Sequence, residues 1–293
     1  MLNAPEISVG QWCEIYERLI SSLPLKQNTL QNRRNYIRHI RAPLADRPLA
    51  DVEPMDIIHI LKALEQAGTP YMRRRVRIEA IQMFNAAIIA RKINYNPAAP
   101  ISYWHTRPLR SRLTLENWQA VHAWASGRGM TWFVLALEFA LVTGQRRADL
   151  TLLKRSDVVD GQLRIRQQKT GRRIALPVAL RLESADLQLG DVIERLTQHG
   201  GPGPTLLRKP DGTPYCPGHL SNTFREGLLT AVPGRPWGEE RRAPSLHEIR
   251  SLSERLYRQQ GIDTMTLLGH ARQSMTDDYN DDRGLEAWKV LRL

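Results

Sequence analysis

The sequence predicts a mainly α-helical protein with one small β-hairpin, an α+β chain built as a helical N-terminal domain and a larger second domain. Three observations carry this. Helix-periodic segments with short connections fill the chain up to about Lys92. A proline-rich stretch without period, residues 94–110, follows them. Beyond it, one alternating pattern over residues 162–178 stands among further helical segments. The boundaries read as 1–93, a linker at 94–110, and 111–293, a size suited to two domains.

The first helix is predicted from Ser8, which forms a capping box with Gln11; Trp12, Ile15, Tyr16, Leu19 and Ile20 then mark its inward face. A second is expected over about Thr29–Ile40, with Leu30, Tyr36, Ile37 and Ile40 inward and Arg33, Arg34, Arg38 and Arg41 outward. A third starts at Pro54, a favoured first-turn residue, and stops at Gly68. A fourth follows Thr69-Pro70 and carries Arg73, Arg74, Arg75 and Arg77. In the second domain, Thr114 caps a helix. The run TWFVLALEFALV is apolar nearly all round, as a central buried helix is, and Gly144 ends it. The hairpin turns at Lys-Thr-Gly-Arg, with Lys169 at its tip. Residues 198–218 and 232–244 read as loops around a helix at 219–229. Ser245 and Glu248 form a predicted capping box for the helix that carries His247 and Arg250 on one face. A short helix then ends at Gly269-His270, and Tyr279 follows in a polar run.

The formal net charge is +12, and both parts share it: residues 1–110 contribute +7 and residues 111–293 contribute +5. Such a balance favours a polyanionic partner, chiefly nucleic acid. Two arginine-bearing helices in the first bundle point to a phosphate-contacting face made of Arg33, Arg34, Arg38, Arg73, Arg74, Arg75 and Arg77. No apolar run is long enough for a membrane span, and the N-terminus has neither the basic flank nor the apolar stretch of a secretory signal. Cys13 and Cys216 form no metal-spacing motif and no disulfide framework, so a reducing, cytoplasmic location is expected. No phosphate-binding glycine loop or metal-ligand cluster is present, and no cofactor or metal is expected.

Taken singly, each chemistry-bearing residue has an ordinary explanation. Arg146 could pair with Asp149, Lys169 could be solvated, His247 and Arg250 could be a surface pair, and Tyr279 could be an exposed tyrosine. Taken together, Arg146, Lys169, His247, Arg250, His270 and Tyr279 are suited to phosphoryl transfer. Guanidinium groups match phosphate oxygens, and cationic donors stabilise the charge that gathers on a pentacoordinate phosphorane. A tyrosine activated by such a field can attack phosphorus. The paired carboxylates of a two-metal nuclease are missing from the set.

The motifs TGQRRADL, QQKTG, HEIR and LLGH, followed by Tyr279, resemble in order and approximate spacing those of the tyrosine recombinase family. ALVTGQRRADL, SDVVDG, IRSLSERLY and LLGHARQSMTDDYNDDRG with a Trp-Lys tail are similar to the integrases of lambda-type temperate phages, from about Ser8 to the end. The resemblance implies a core-binding domain followed by a catalytic domain, and a site-specific DNA recombinase without metal or ATP. It implies that Arg146 and Arg250 clamp the scissile phosphate and Lys169 protonates the leaving 5′ oxygen. His247 would assist proton transfer with Tyr279, His270 would bond a non-bridging oxygen, and Tyr279 would form a 3′-phosphotyrosyl link. The implied partners are double-stranded DNA with core-type attachment sites, a homo-tetramer acting through a Holliday junction, an excisionase and a DNA-bending host factor. A separate N-terminal arm-binding domain is not evident, because the first helix starts beside Ser8. The segment after Tyr279 reads either as a disordered end or, by the resemblance, as one that docks on its own or a neighbouring protomer. A non-catalytic DNA-binding protein and a type IB topoisomerase-like enzyme are the competing readings.

Overall fold

The structure, a computed structural model, describes residues 7–102, 109–234, 236–237 and 241–279. The predicted docking of the segment after Tyr279 lies outside these residues, as do the first residues of the chain and part of the linker. The chain divides into two compact units, residues 1–107 and 108–293.

The first unit holds helices α1 (Val9–Ser21), α2 (Gln27–Leu44), α3 (Pro54–Gln66) and α4 (Pro70–Ile89). The capping box at its start is formed: the Gln11 amide donates to Ser8 Oγ (3.2 Å) and the Ser8 amide to Gln11 Oε1 (2.9 Å). One apolar face of each helix closes on a common core containing Trp12, Tyr16, Ile37, Ile40, Ile57, Leu61 and Phe84. Leu19 is a correction. It lies at the edge of the α1 stripe and is 48% exposed, while Cys13 takes the buried place beside Trp12. The helix expected at Thr29–Ile40 is longer at both ends. Residues 94–102, read from the sequence as linker, pack on this unit instead. Ala98 and Ile101 are buried in its core, and the Asn96 side chain donates to the Ile81 carbonyl (2.9 Å) and to Asn85 Oδ1 (2.7 Å).

The second unit is built around α6 (Thr131–Thr143), whose residues from Leu135 to Thr143 are all buried. Around it lie α5 (Leu115–Ser126), α7 (Arg147–Leu150), α8 (Leu189–Gln198), α9 (Pro217–Ala231), α10 (Glu248–Gln259), α11 (Thr264–Leu268) and α12 (Gln273–Asp277). Thr114 caps α5 through the Asn117 amide (3.1 Å). The hairpin is present as β2 (Gln162–Arg166) and β3 (Arg173–Pro177), paired antiparallel with Leu163 opposite Leu176 and Ile165 opposite Ile174. A two-residue strand β1 (Val158–Val159) adds to β2, and β4 (Arg181–Leu182) pairs with β5 (Leu187–Gln188). The sequence reading missed these short strands and α8, although α8 buries Leu189, Val192, Ile193 and Leu196 at helical spacing. The fold is therefore mainly α with small antiparallel sheets.

The predicted Ser245–Glu248 capping box is also corrected. α10 starts three residues later, at Glu248, and its first turn is closed by the Glu248 amide donating to the Ser245 carbonyl (2.8 Å). The Glu248 carboxylate instead pairs with Arg112 (3.0 Å), since a buried carboxylate gains more from a guanidinium than from an amide.

Helices α5 and α9 meet through Gly227, where a methyl group would lie 2.7 Å from the Trp124 ring. Gly227→Ala is expected to destabilise the second unit by about 1–3 kcal/mol through overpacking. Thermal denaturation compared with the parent chain measures it, and an unchanged midpoint would refute the close packing.

Candidate active site

Two helix ends create the floor of the site. Gly144 and Gly269 both adopt the left-handed conformation, at φ 63° and 62°, and so terminate α6 and α11. Carbonyl groups at these ends turn toward one side chain, Arg250 on α10. Its Nη1 donates to the Gly144 carbonyl (2.8 Å) and its Nη2 to the Leu268 carbonyl (2.6 Å). Nη2 also lies 2.9 Å from His270 Nε2. Arg250 is 1% exposed. Burial and the neighbouring Arg146 lower its pKa to about 10, so it stays cationic at neutral pH.

A guanidinium has no acceptor, so His270 Nε2 must accept from Arg250. The proton then sits on Nδ1, which donates to Thr276 Oγ1 (2.9 Å). Burial first, then Arg250 and Arg146, push the His270 pKa down to about 4. His247 stands just before α10 with an exposed edge, yet the surrounding atoms, followed by Arg250, Arg146 and Lys169, lower its pKa to about 4 as well. Both imidazoles are neutral in the free protein.

Arg146 does not pair with Asp149. Its Nη1 donates to Gln167 Oε1 (3.0 Å), while Asp149 Oδ1 accepts from the Gln168 amide (2.7 Å). Gln167 is fully buried and ties the site together. Its Nε2 donates to Gln145 Oε1 and to the Leu268 carbonyl, both at 2.9 Å, and its Oε1 accepts from Thr170 (2.9 Å). The hairpin turn that carries Lys169 is thereby fastened to Arg146 and to the end of α11. Lys169 itself is exposed at the tip, close enough to act on His247 electrostatically.

Tyr279 is half-buried among these groups. Its ring centroid lies 5.4 Å from that of His270, stacked, and 6.3 Å from that of His247, edge-on. The guanidinium carbons of Arg250 and Arg112 lie 5.8 Å and 5.9 Å from the ring centre. The structure thus gathers Arg146, His247, Arg250, His270 and Tyr279, with Lys169 at the rim.

Sequence reasoning missed Gln145, Gln167, Arg112, Ser251 and Thr276. Gln167 carried a signal: it continues the inward alternation of Leu163 and Ile165, so a polar residue stands where the strand pattern calls for an apolar one. Arg112 carried none.

Among the seven arginines singled out in the first unit, Arg33, Arg73 and Arg77 are turned to partners within it. Arg33 is held by Glu79 (2.8 Å), Arg73 by Glu65, and Arg77 donates through Nε to the Ile101 carbonyl (2.9 Å). Arg73 is buried on α4 beside Val76, and Arg77, one turn on, is half-buried. Arg34 donates to Ser21 Oγ (3.1 Å) and Arg75 to the Tyr71 hydroxyl (2.9 Å). Arg38, Arg74 and Arg75 are exposed. Among the described residues no three His, Cys, Asp or Glu side chains converge as a metal site, and no helix is long and apolar enough to cross a membrane.

Residues 112–284 match the phage integrase family and residues 13–103 the phage integrase central domain. The integrase of Escherichia phage lambda is 33% identical over 292 residues, a span that covers 98% of this chain and 79% of that protein. A solved lambda integrase tetramer bound to a Holliday junction is similar with a TM-score of 0.91 and 31% identity, over 98% of this chain and 81% of that one. A lambda integrase (75–356) dimer bound to a core site gives 0.90 and 32%, over 97% and 99%. Fold and relatives together define a tyrosine-type site-specific recombinase. The chain belongs to the phage integrase family and is similar to its lambda-type members.

The depressed histidine values give a stability prediction. A folded-state pKa near 4 against an ordinary 6.5 means that the unfolded chain binds more protons between those values. The stability these groups contribute is complete above pH 6.5 and is lost on acidification toward pH 4. Arg146→Ala removes one source of repulsion and is expected to raise both midpoints, as read from imidazole NMR titration.

Proposed function

We propose that the chain cleaves and rejoins double-stranded DNA at core-type attachment sites through a 3′-phosphotyrosyl link at Tyr279. The observation that carries this reading is the placement of the Tyr279 ring against His270 and beside the buried Arg250. Arg146 and Arg250 hold the non-bridging oxygens of the scissile phosphate. They are pre-oriented by Gln167, Gly144 and Leu268, so little reorganisation is needed when charge develops. The Tyr279 oxygen attacks phosphorus and its proton passes to His247, which is neutral and able to accept it. The bond from phosphorus to the 5′ oxygen breaks, and Lys169 at the hairpin tip supplies that oxygen with a proton. The phosphate anion offsets the cationic field around His270 and raises its pKa, so Nε2 can take up a second proton, release its bond from Arg250 and donate to a non-bridging oxygen while Nδ1 stays on Thr276. The link retains the phosphodiester energy. The freed 5′ hydroxyl of a partner strand attacks it, and rejoining consumes neither ATP nor a metal ion.

The same reading assigns residues 1–93, with the segment 94–102 packed on them, as core-binding domain and 111–293 as catalytic domain. Four protomers act through a Holliday junction, in the host cytoplasm, with an excisionase and a DNA-bending host factor as further partners. A lambda integrase tetramer on such a junction supports the assembly by likeness. Arg34, Arg38, Arg74 and Arg75 remain the phosphate-contacting arginines of the first unit.

A suicide duplex carrying the core site is expected to trap a covalent adduct with the parent chain and none with Tyr279→Phe. Arg146→Ala is expected to slow adduct formation ~100- to 1,000-fold. Lys169→Ala should regain its rate on a substrate with sulfur at the 5′ bridging position, because a thiolate leaves without protonation. An adduct that survives Tyr279→Phe would sink the assignment.

Arg38→Ala is expected to lower the slope of log affinity against log salt by about 1. Arg33→Ala should instead lower the melting midpoint of the first unit, because it leaves Glu79 buried without its partner.

A further inference from the structure

Arg112 stands apart from the proposed catalytic set, yet it touches the tyrosine segment at two levels. It is 4% exposed. Its Nη1 donates to Glu248 Oε2 at 3.0 Å, and that carboxylate is also buried. Its Nη2 donates to the backbone carbonyl of Asp278, the residue before Tyr279. Its guanidinium carbon lies 5.9 Å from the Tyr279 ring centre. From the other side, Ser251 Oγ donates to the Tyr279 carbonyl at 3.2 Å. Glu248 lies between His247 and Arg250, so one helical turn carries both a proposed proton acceptor and the anchor of the group that holds the tyrosine backbone.

The chemistry explains why arginine and carboxylate are both needed. The surrounding field comes from Arg146, Arg250, Lys169, Arg147 and Arg172, all of which act on His247 or His270. A further buried cation in that field is unfavourable unless an anion neutralises it. Glu248 does so while facing Arg112, which leaves the net cationic charge for the phosphate. A guanidinium can serve the carboxylate and the carbonyl at once through two nitrogens in fixed geometry, which a lysine ammonium does not reproduce.

We propose that Arg112 is a positioning residue: anchored by Glu248, it holds the Asp278 carbonyl and so sets the Tyr279 hydroxyl in line with the scissile phosphate. The inference rests on Tyr279 being the nucleophile.

The test is single-turnover adduct formation by the full chain on a suicide duplex, with DNA affinity and thermal melting measured alongside. Arg112→Lys keeps the charge pair with Glu248 but cannot hold both acceptors. It is expected to melt and bind DNA like the parent and to cleave between about 10- and 100-fold more slowly. A 3-fluorotyrosine placed at position 279 should give one sharp resonance in the parent and a broadened or split one in Arg112→Lys. If Arg112→Lys is unstable, the pair Arg112→Met with Glu248→Gln removes the charge conflict, and slow cleavage by that folded double variant supports the proposal. Parent-like cleavage and a sharp resonance in either folded variant overturn it. A parent chain that forms no adduct at Tyr279 refutes the nucleophile assignment itself, a result separate from these.

Discussion

The second unit depends on one buried guanidinium. Arg250 is almost wholly removed from water and satisfies carbonyl groups at the ends of two helices, Gly144 after α6 and Leu268 in α11, together with His270. Desolvating a cation costs several kcal/mol, and only well-placed acceptors offset it. The two left-handed glycines make those acceptors available. A side chain at Gly144 would meet Ser253 Oγ at 2.9 Å, and one at Gly269 would meet Gln167 Nε2 at 3.0 Å. The same atoms that stabilise the arginine also aim it, so stability and site geometry are one constraint.

Around that arginine the site is cationic but its histidines are neutral. This follows from the field: each positive neighbour disfavours protonation of an imidazole, and burial adds to it. An anionic phosphate reverses the balance. A site built this way is poised to change its protonation on binding, since the ligand supplies the missing negative charge. Glu248 is paired inward with Arg112 and therefore does not compete for the other cations of the site.

Much of the site was legible in the sequence because its spacing is local. HEIR places His247 and Arg250 together whatever the rest of the fold does, and a glycine after an apolar helix predicts the turn before Arg146. The arginines of the first unit were less legible. A run of cations on a helix has the same appearance whether it faces water or a buried acid. Arg33 turned inward because Glu79, far along the chain, lies beside Tyr16 in the same bundle. Arg38, without such an acid, stayed exposed. The capping box expected at Ser245 failed for a related reason: Glu248 found a guanidinium, a stronger partner than a backbone amide.

Periodicity, capping residues, helix-ending glycines and the hairpin alternation were sufficient by themselves to establish a mainly α chain, the order of most of its helices and its single main hairpin; the six residues of the proposed chemistry stood out only as a set and through the resemblance of their motifs. The helices and the hairpin depend on neighbours within one or two turns. Tertiary structure alone decided that Gln167 joins Arg146 to Leu268, that Arg112 reaches Asp278, and that Tyr279 stacks on His270. Each of these joins residues distant in sequence. Whether a polar side chain is an exposed surface group or a buried connector is set by the partner that folding brings to it.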